Sequence, residues 1–390
     1  MLGEVSDPQA PNASEIADAA VELSPRDPLT AWLKASAAYD PSREGAATEY
    51  TALVERVVRL SPGDTRWWVE LGRAREQSAD LIGAEAAYLR AIELAPNHSY
   101  PRWQFGNFLL RQERMDDALA ELRKSASVSS LYREQVYSVV WDFAGGDTAV
   151  LDKLAGDDPE MLSGLAWFYL KKLRPDDVRN TWNRLDRSSK ERYRSLSRKI
   201  AETLFSRRFF RTAVWIVNDM QLEGDIALGK VRNGGFETKF GENPIPFFGW
   251  SNVKTDRIEL REDASTKHSG AKSFRVGLRG FAGPQMAVLG QVLAVEPGKR
   301  YLLRFWVKTE DLKSAALPLI EVIGFETGPA LASVELPSGS ADWKELVFEF
   351  SAPLDSDGIQ IRLNRTGCGA DCPVTGTLWL DDFSLEEAGR

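Results

Sequence analysis

Two cysteines, two histidines and a doublet of aspartates near the C-terminus are the most reactive residues in this 390-residue sequence. Cys368 and Cys372 stand in "TGCGADCPVTGTLWLDDFSL", just ahead of an apolar run. Such a pair can be a metal half-site, two free thiols or a disulfide. Structural zinc normally takes four protein ligands, and the histidines, His98 and His268, are 170 positions apart. Free thiols in an exposed, glycine-rich loop would be prone to oxidation. The spacing suits a bridge across a tight loop, with Gly367 and Gly369 giving the backbone freedom to bring the sulfurs together. So small a ring gains little chain-entropy stabilisation, so its role would be to fix the loop's shape. A disulfide implies an oxidising compartment, the periplasm or the cell exterior. Catalysis is not expected. Asp381–Asp382 and Asp116–Asp117 are sequence neighbours, which does not place two carboxyls across a scissile bond, and spacing assembles no serine–histidine–acid set.

The elements that must hold these residues follow from composition and periodicity. Apolar residues make up 43% and charged residues 27%, as in globular proteins, and the length suggests two or three domains. A net charge of −8 gives no electrostatic reason to bind nucleic acid or anionic membrane. Basic clusters at Lys171–Arg174 and Arg207–Arg211 read as solvated helix faces. No stretch reaches the roughly 18 apolar residues of a spanning helix. The opening "MLGEVSDPQAPN" has no leader pattern, and a mature or trimmed form fits this. Residues 1–13 are expected to be disordered.

The first part repeats. In "TRWWVELGRAREQSADLIGAEAAYLRAIELAPN" (residues 65–97), Trp68, Leu71, Gly72, Ala84, Tyr88, Ala91 and Pro96 fall at positions 4, 7, 8, 20, 24, 27 and 32. This spacing resembles the tetratricopeptide repeat. One repeat further on stand Phe105, Gly106, Ala118, Leu122 and Ser125, and weaker copies start at Pro159 and Arg194. Small residues at 8, 20 and 27 let two helices approach closely, and proline at 32 closes the second. Between them, residues 134–154 read as two helices hinged at Gly145–Gly146. The resemblance implies an α-solenoid over residues 14–225, right-handed with a concave inner face, holding a protein or peptide partner. Trp68, Tyr88, Trp182 and Trp215 are expected in its core. Trp67, Trp103 and Trp141 are less fixed and could line a groove.

Past residue 226 the period becomes two. Phe274, Val276 and Leu278; Tyr301, Leu303, Phe305 and Val307; Leu346, Phe348 and Phe350; and Ile359, Ile361 and Leu363 alternate with polar residues between turns such as "HSG" and "EPGKR". Short alternating strands without helices predict an antiparallel β-sandwich. The ordered motifs "NGGFE", "GW", "HSGAKSFRV", "VEPGKRYLLRFWVKT", "ADWKELVFEF" and "LWLDDFSL" make residues 226–388 resemble the jelly-roll carbohydrate-binding modules of the galactose-binding-like type. The fold class is thus α + β multidomain, an all-α tetratricopeptide-like part followed by a jelly roll. The resemblance implies adjacent first and last strands, and a structural calcium ion at Glu237 and Asp382, with Asp381 as the near alternative. The other reading leaves Glu237 solvated and has the aspartates accept backbone amides in a turn.

If Leu303, Phe305 and Val307 face inward, Arg304, Trp306 and Lys308 face outward. The same argument turns out Arg275, Gln291, Glu321, Gln360, Arg362 and Asn364. Tryptophan among amide and guanidinium groups suits a sugar, which offers an apolar face and a rim of hydroxyls. Trp306 is the expected anchor, with Trp250, Trp343 and Trp379 in the core. The expected function is a non-enzymatic adaptor in the bacterial envelope or in exopolysaccharide assembly, holding protein on the solenoid and polysaccharide on the sandwich. The alternative is a protein scaffold whose sandwich caps the helices. The disulfide reading has a direct check: alkylation of unfolded, unreduced protein should label neither Cys368 nor Cys372, and labelling of both would remove it.

Overall fold

The computed structural model describes residues 13–238, 247–253, 255–283, 285–325, 328–366 and 372–389. Helices come first: α1 (Ala13–Leu23), α2 (Pro28–Ala37), α3 (Ala46–Leu60), α4 (Thr65–Gln77), α5 (Leu81–Leu94), α6 (Ser99–Arg111) and α7 (Met115–Val128). They continue as α8 (Ser130–Phe143), α9 (Thr148–Ala155), α10 (Pro159–Lys171), α11 (Pro175–Asn183), α12 (Arg187–Arg192), α13 (Arg194–Ser206) and α14 (Phe210–Asp219). Asp64, Asp80, Asp147 and Asp186 start helices by accepting the N–H two or three residues ahead, satisfying donors that a helix start leaves orphaned.

The close approaches expected of the small positions are present. A Cβ on Gly72 would lie 2.8 Å from the Tyr88 ring, and one on Gly106 would lie 2.5 Å from Leu122, so only glycine lets α4 meet α5 and α6 meet α7. Ala84, Ala91, Ala118 and Ser125 are fully buried, and the Ser125 hydroxyl donates to the Ser99 carbonyl at 2.9 Å. Gly145 and Gly146 take positive φ between α8 and α9, the predicted hinge. Tyr88 and Trp182 are buried and Trp68 is half-buried, its indole donating to the Pro62 carbonyl. Two expectations fail. Trp67 is buried against Val54, Val57 and Leu71 instead of lining a groove, and Trp215 is half-buried at the edge of a cleft instead of in the core. Trp103 does line a cleft, of about 530 Å³, with Arg73, Gln77 and Gln104.

Strands follow: β1 (Trp250–Asn252), β2 (Ile258–Asp263), β3 (Ser273–Phe281), β4 (Leu289–Ala294), β5 (Arg300–Lys313), β6 (Leu319–Ile323), β7 (Ala332–Glu335), β8 (Gly339–Ser351), β9 (Gly358–Asn364) and β10 (Val374–Glu387). They form two antiparallel five-stranded sheets, ordered β1-β4-β9-β6-β7 and β2-β3-β10-β5-β8. The residues that alternate inward, among them Phe274, Val276, Leu303, Phe305, Ile359 and Ile361, make one core between them. The last strand is not beside the first: β10 lies between β3 and β5, while β1 is an edge strand of the other sheet. The stretch before β1 reaches β10 without being a strand, through Phe383 N–H donating to the Gly234 carbonyl at 3.0 Å.

Contacts divide the chain into two compact units, residues 1–168 and 169–390, a division that does not coincide with the change from helix to strand. In the second unit α13 and α14 are bound to the sandwich. The Asp357 carboxylate accepts from Phe210 N–H at 3.0 Å and Arg211 N–H at 2.9 Å, capping α14 from the turn before β9. Phe210 fills a notch that glycine leaves, since a Cβ on Gly358 would lie 2.1 Å from its ring. Phe205, Phe248 and Phe325 surround it with centroids 4.8 to 6.2 Å away. Gly358→Val should therefore lower stability by roughly 1–3 kcal/mol through overpacking, and Asp357→Ala by about 0.5–2 kcal/mol through loss of the cap. Urea denaturation of full-length protein measures both, and unchanged midpoints would contradict this packing.

Candidate functional site

The outer face of the second sheet carries a group of aromatic and polar side chains. Alternation along β5 turns Arg304, Trp306 and Lys308 outward, and β3 adds Arg275. Trp306 is half-buried, and it is not an open platform: the His268 ring stacks on it with centroids 3.8 Å apart and planes 13° apart. Trp343, expected in the core, is half-buried on the same face, edge-on to His268 at 5.7 Å. Trp379 also faces outward but is buried, donating from its indole to Asp263 at 2.9 Å beneath the Arg275 guanidinium. Trp250 alone of these three packs in the core. Lys308 pairs with Asp342 at 2.7 Å, and Arg304 lies 3.8 Å from Glu345. The result is an indole–imidazole–indole cluster rimmed by ion pairs.

The carboxylates expected at a cation instead hold the turn that presents His268. Asp381 Oδ2 accepts from His268 N–H at 2.9 Å and Ser269 N–H at 3.3 Å. Asp382 receives the Ser269 hydroxyl at 2.8 Å and lies 2.6 Å from His268 Nδ1. Glu237 is exposed, and both its oxygens accept from Ala271 N–H at 2.9 Å. Burial pushes the Asp381 carboxyl above the usual range, against the His268 amide that pulls it down. Calcium needs six to eight oxygen ligands. Here the oxygens serve protein donors, and among the described residues no group of three or more His, Cys, Asp or Glu side chains is placed to hold a metal ion. In this turn Asp381 accepts backbone amides, and Asp382 and Glu237 accept from Ser269 and Ala271.

The remaining predicted residues do not join this face. Glu321, Gln360, Arg362 and Asn364 point outward from the first sheet, so the single face expected is two faces of two sheets. Gln291 does not point outward at all. It shares the inward parity of Leu289 and Leu293, is buried, and exchanges hydrogen bonds of 2.8 and 3.0 Å with the Arg232 backbone, as a strand neighbour would. Glu321 is buried in an ion pair with Arg362 and accepts the Asn364 amide at 2.7 Å, while Asn364 Oδ1 accepts from Met286 N–H at 2.9 Å. That network is closed on itself. Cys368 lies outside the described residues, and with it the expected bridge. Cys372 is buried, and its carbonyl accepts from Arg365, a fully buried guanidinium that sequence reasoning missed and that also donates to the Phe281 carbonyl at 3.1 Å.

The sequence matches no protein-family model and no curated protein. Among solved structures it is similar to a CBM4 module, at 14% identity over 40% of this chain and 99% of that one, with a TM-score of 0.31. It is similar to the module TmCBM61 solved with β-1,4-galactotriose, at 20% identity over 40% and 97%, with a TM-score of 0.29. A third is the CBM22-1 xylan-binding domain of Paenibacillus barcinonensis Xyn10C, at 16% identity over 43% and 99%, with a TM-score of 0.29.

The Asp263–Trp379 pair gives this face an acid limit. Burial raises the Asp263 carboxyl, but the Ser265 and Trp379 donors together outweigh it and hold the group at about 2, below its usual 3.8. A depressed folded value contributes stability that is present above pH 4 and lost as pH falls towards 2. Asp263→Asn should flatten this acid limb by roughly 1–2 kcal/mol, read from denaturation midpoints between pH 5 and pH 2. An unchanged limb would mean that the carboxylate is not the acceptor.

Proposed function

We propose that the chain is a non-enzymatic adaptor whose sandwich holds glycan on the outer face of the second sheet. The observation that carries this reading is the cluster of Trp306, His268 and Trp343, half-buried at the surface with Lys308–Asp342 and Arg304–Glu345 beside it. A pyranose has an apolar C–H face that packs on an indole, and hydroxyls that exchange hydrogen bonds with a mixed rim of carboxylate, ammonium and guanidinium. His268 already takes the stacking contact on Trp306, so Trp343 and the outer surface of the Trp306–His268 pair meet the sugar. The helical part supplies the protein-binding half, with the Trp103 cleft and its glutamine amides as the place for an extended peptide. A Cys368–Cys372 bridge would place the protein outside the cytoplasm.

A second reading, a scaffold in which the sandwich caps the last helices, draws on the Asp357 cap and the phenylalanine cluster at Phe210. That contact uses the end of the first sheet and leaves Trp306 and Trp343 half-exposed, so the two roles are compatible. Screening full-length protein on a broad glycan array separates them. Binding that weakens about fivefold in Trp343→Ala, the roughly 1 kcal/mol of one aromatic contact, supports the glycan reading. An array without binding leaves the scaffold alone.

A further inference from the structure

A second cleft, unconnected with the sheet face, lies between α11, α14 and the chain that leaves the helices. It has a volume of about 700 Å³, within the roughly 300–1,000 Å³ usual for small-ligand sites. α14 presents Arg211, Trp215 and Asn218 on one side at helical spacing, and α11 presents Asp176 and Arg179. Ile226 and Leu228 form an apolar wall, held in place because the Asn218 amide exchanges hydrogen bonds of 2.8 and 3.0 Å with the Ile226 backbone. The Trp215 indole stands at the edge, with the Arg179 guanidinium 5.2 Å and the Lys190 ammonium 5.8 Å from its ring centre.

The charges say what the cleft accepts. Lys190 is taken by Asp219 at 3.0 Å, Arg211 by Glu296 at 3.3 Å, and Asp357 by the α14 amides. Asp176 and Arg179 are exposed, and neither forms an ion pair among the described residues. A purely apolar guest would strip water from both without replacing its hydrogen bonds. A phosphate would meet Arg179 but face Asp176, Asp219 and Asp357. A ligand with several hydroxyls and an apolar face suits all of them. Its hydroxyls donate to Asp176 and accept from Arg179, the Thr212 hydroxyl does either, and its C–H face lies on Trp215 and Leu228.

We infer that this cleft is a separate saccharide site, taking a neutral sugar of one to three rings independently of the outer face of the second sheet. The test titrates full-length protein with β-1,4-galactotriose, xylotriose, cellotriose and maltotriose, followed by calorimetry. The variants are Asp176→Asn and Arg179→Ala in the cleft, and Trp306→Ala with Trp343→Ala on the sheet. The cleft residues changed are surface side chains, so far-ultraviolet circular dichroism should show an unaltered fold. Binding of at least one trisaccharide that persists in the sheet variant and falls about tenfold or more in each cleft variant supports the inference. Binding lost in the sheet variant and unchanged in both cleft variants overturns it while leaving the sheet reading intact. No binding by any of the four sugars also overturns the cleft.

Discussion

A carboxylate placed at the head of a helix holds the second unit together. The first N–H groups of α14 have no partners within the helix, and burying them bare would cost roughly 1–3 kcal/mol each. Asp357 arrives from 147 residues away and accepts two of them. Because the same turn begins β9, the cap ties α14 to the central strand of the first sheet. Phe210, the residue so capped, then enters the space left by the missing side chain of Gly358. Burial raises the Asp357 carboxyl above its usual range, with the Arg211 and Phe210 amides drawing against it. Sheet, helix and the cleft beside Trp215 share this one joint.

A comparable economy governs the outer face of the second sheet. The register of β10 against β5 shifts between Asp381 and Ser384, and Asp382 adopts a positive φ of 49°, a conformation that aspartate tolerates better than most residues. The bulge brings Leu380, Phe383 and Leu385 all to the core. It also sends Asp381 and Asp382 to the turn at His268, and so the imidazole is laid flat on Trp306. Local backbone strain, two carboxylates and one aromatic stack are a single device.

Much of the fold was legible in the residues. Gly72 with Tyr88, and Gly106 with Leu122, announce helix pairs because a close approach leaves a mark at fixed spacing. Period-two alternation gave the correct inward residues on β3, β5 and β9. That alternation, pursued further, places Trp343 outward once Leu346, Phe348 and Phe350 are inward, and places Trp379 outward between Leu378 and Leu380. Trp343 is large but outward by parity, and it is half-buried only by its neighbours on that face. Gln291 is polar but inward by parity, because the Arg232 backbone satisfies its amide. What lay beyond reach was non-local. Nothing in the order of strands assigns Arg304 and Arg362 to different sheets, and nothing near Arg365 predicts that a guanidinium would be fully buried against carbonyls. The Asp357 cap, spanning 147 positions, is equally invisible to spacing.

The joint at Phe210 also decides what a cut between helix and strand would expose. Were the sheets alone to be carried into another protein, the rings of Phe248 and Phe325 would lose the partners on α13 and α14 that shield them, and Asp357 would keep its charge with no helix to serve. The unit held together by these contacts is therefore larger than the sandwich: it includes the terminal helices, and with them the cleft at Trp215.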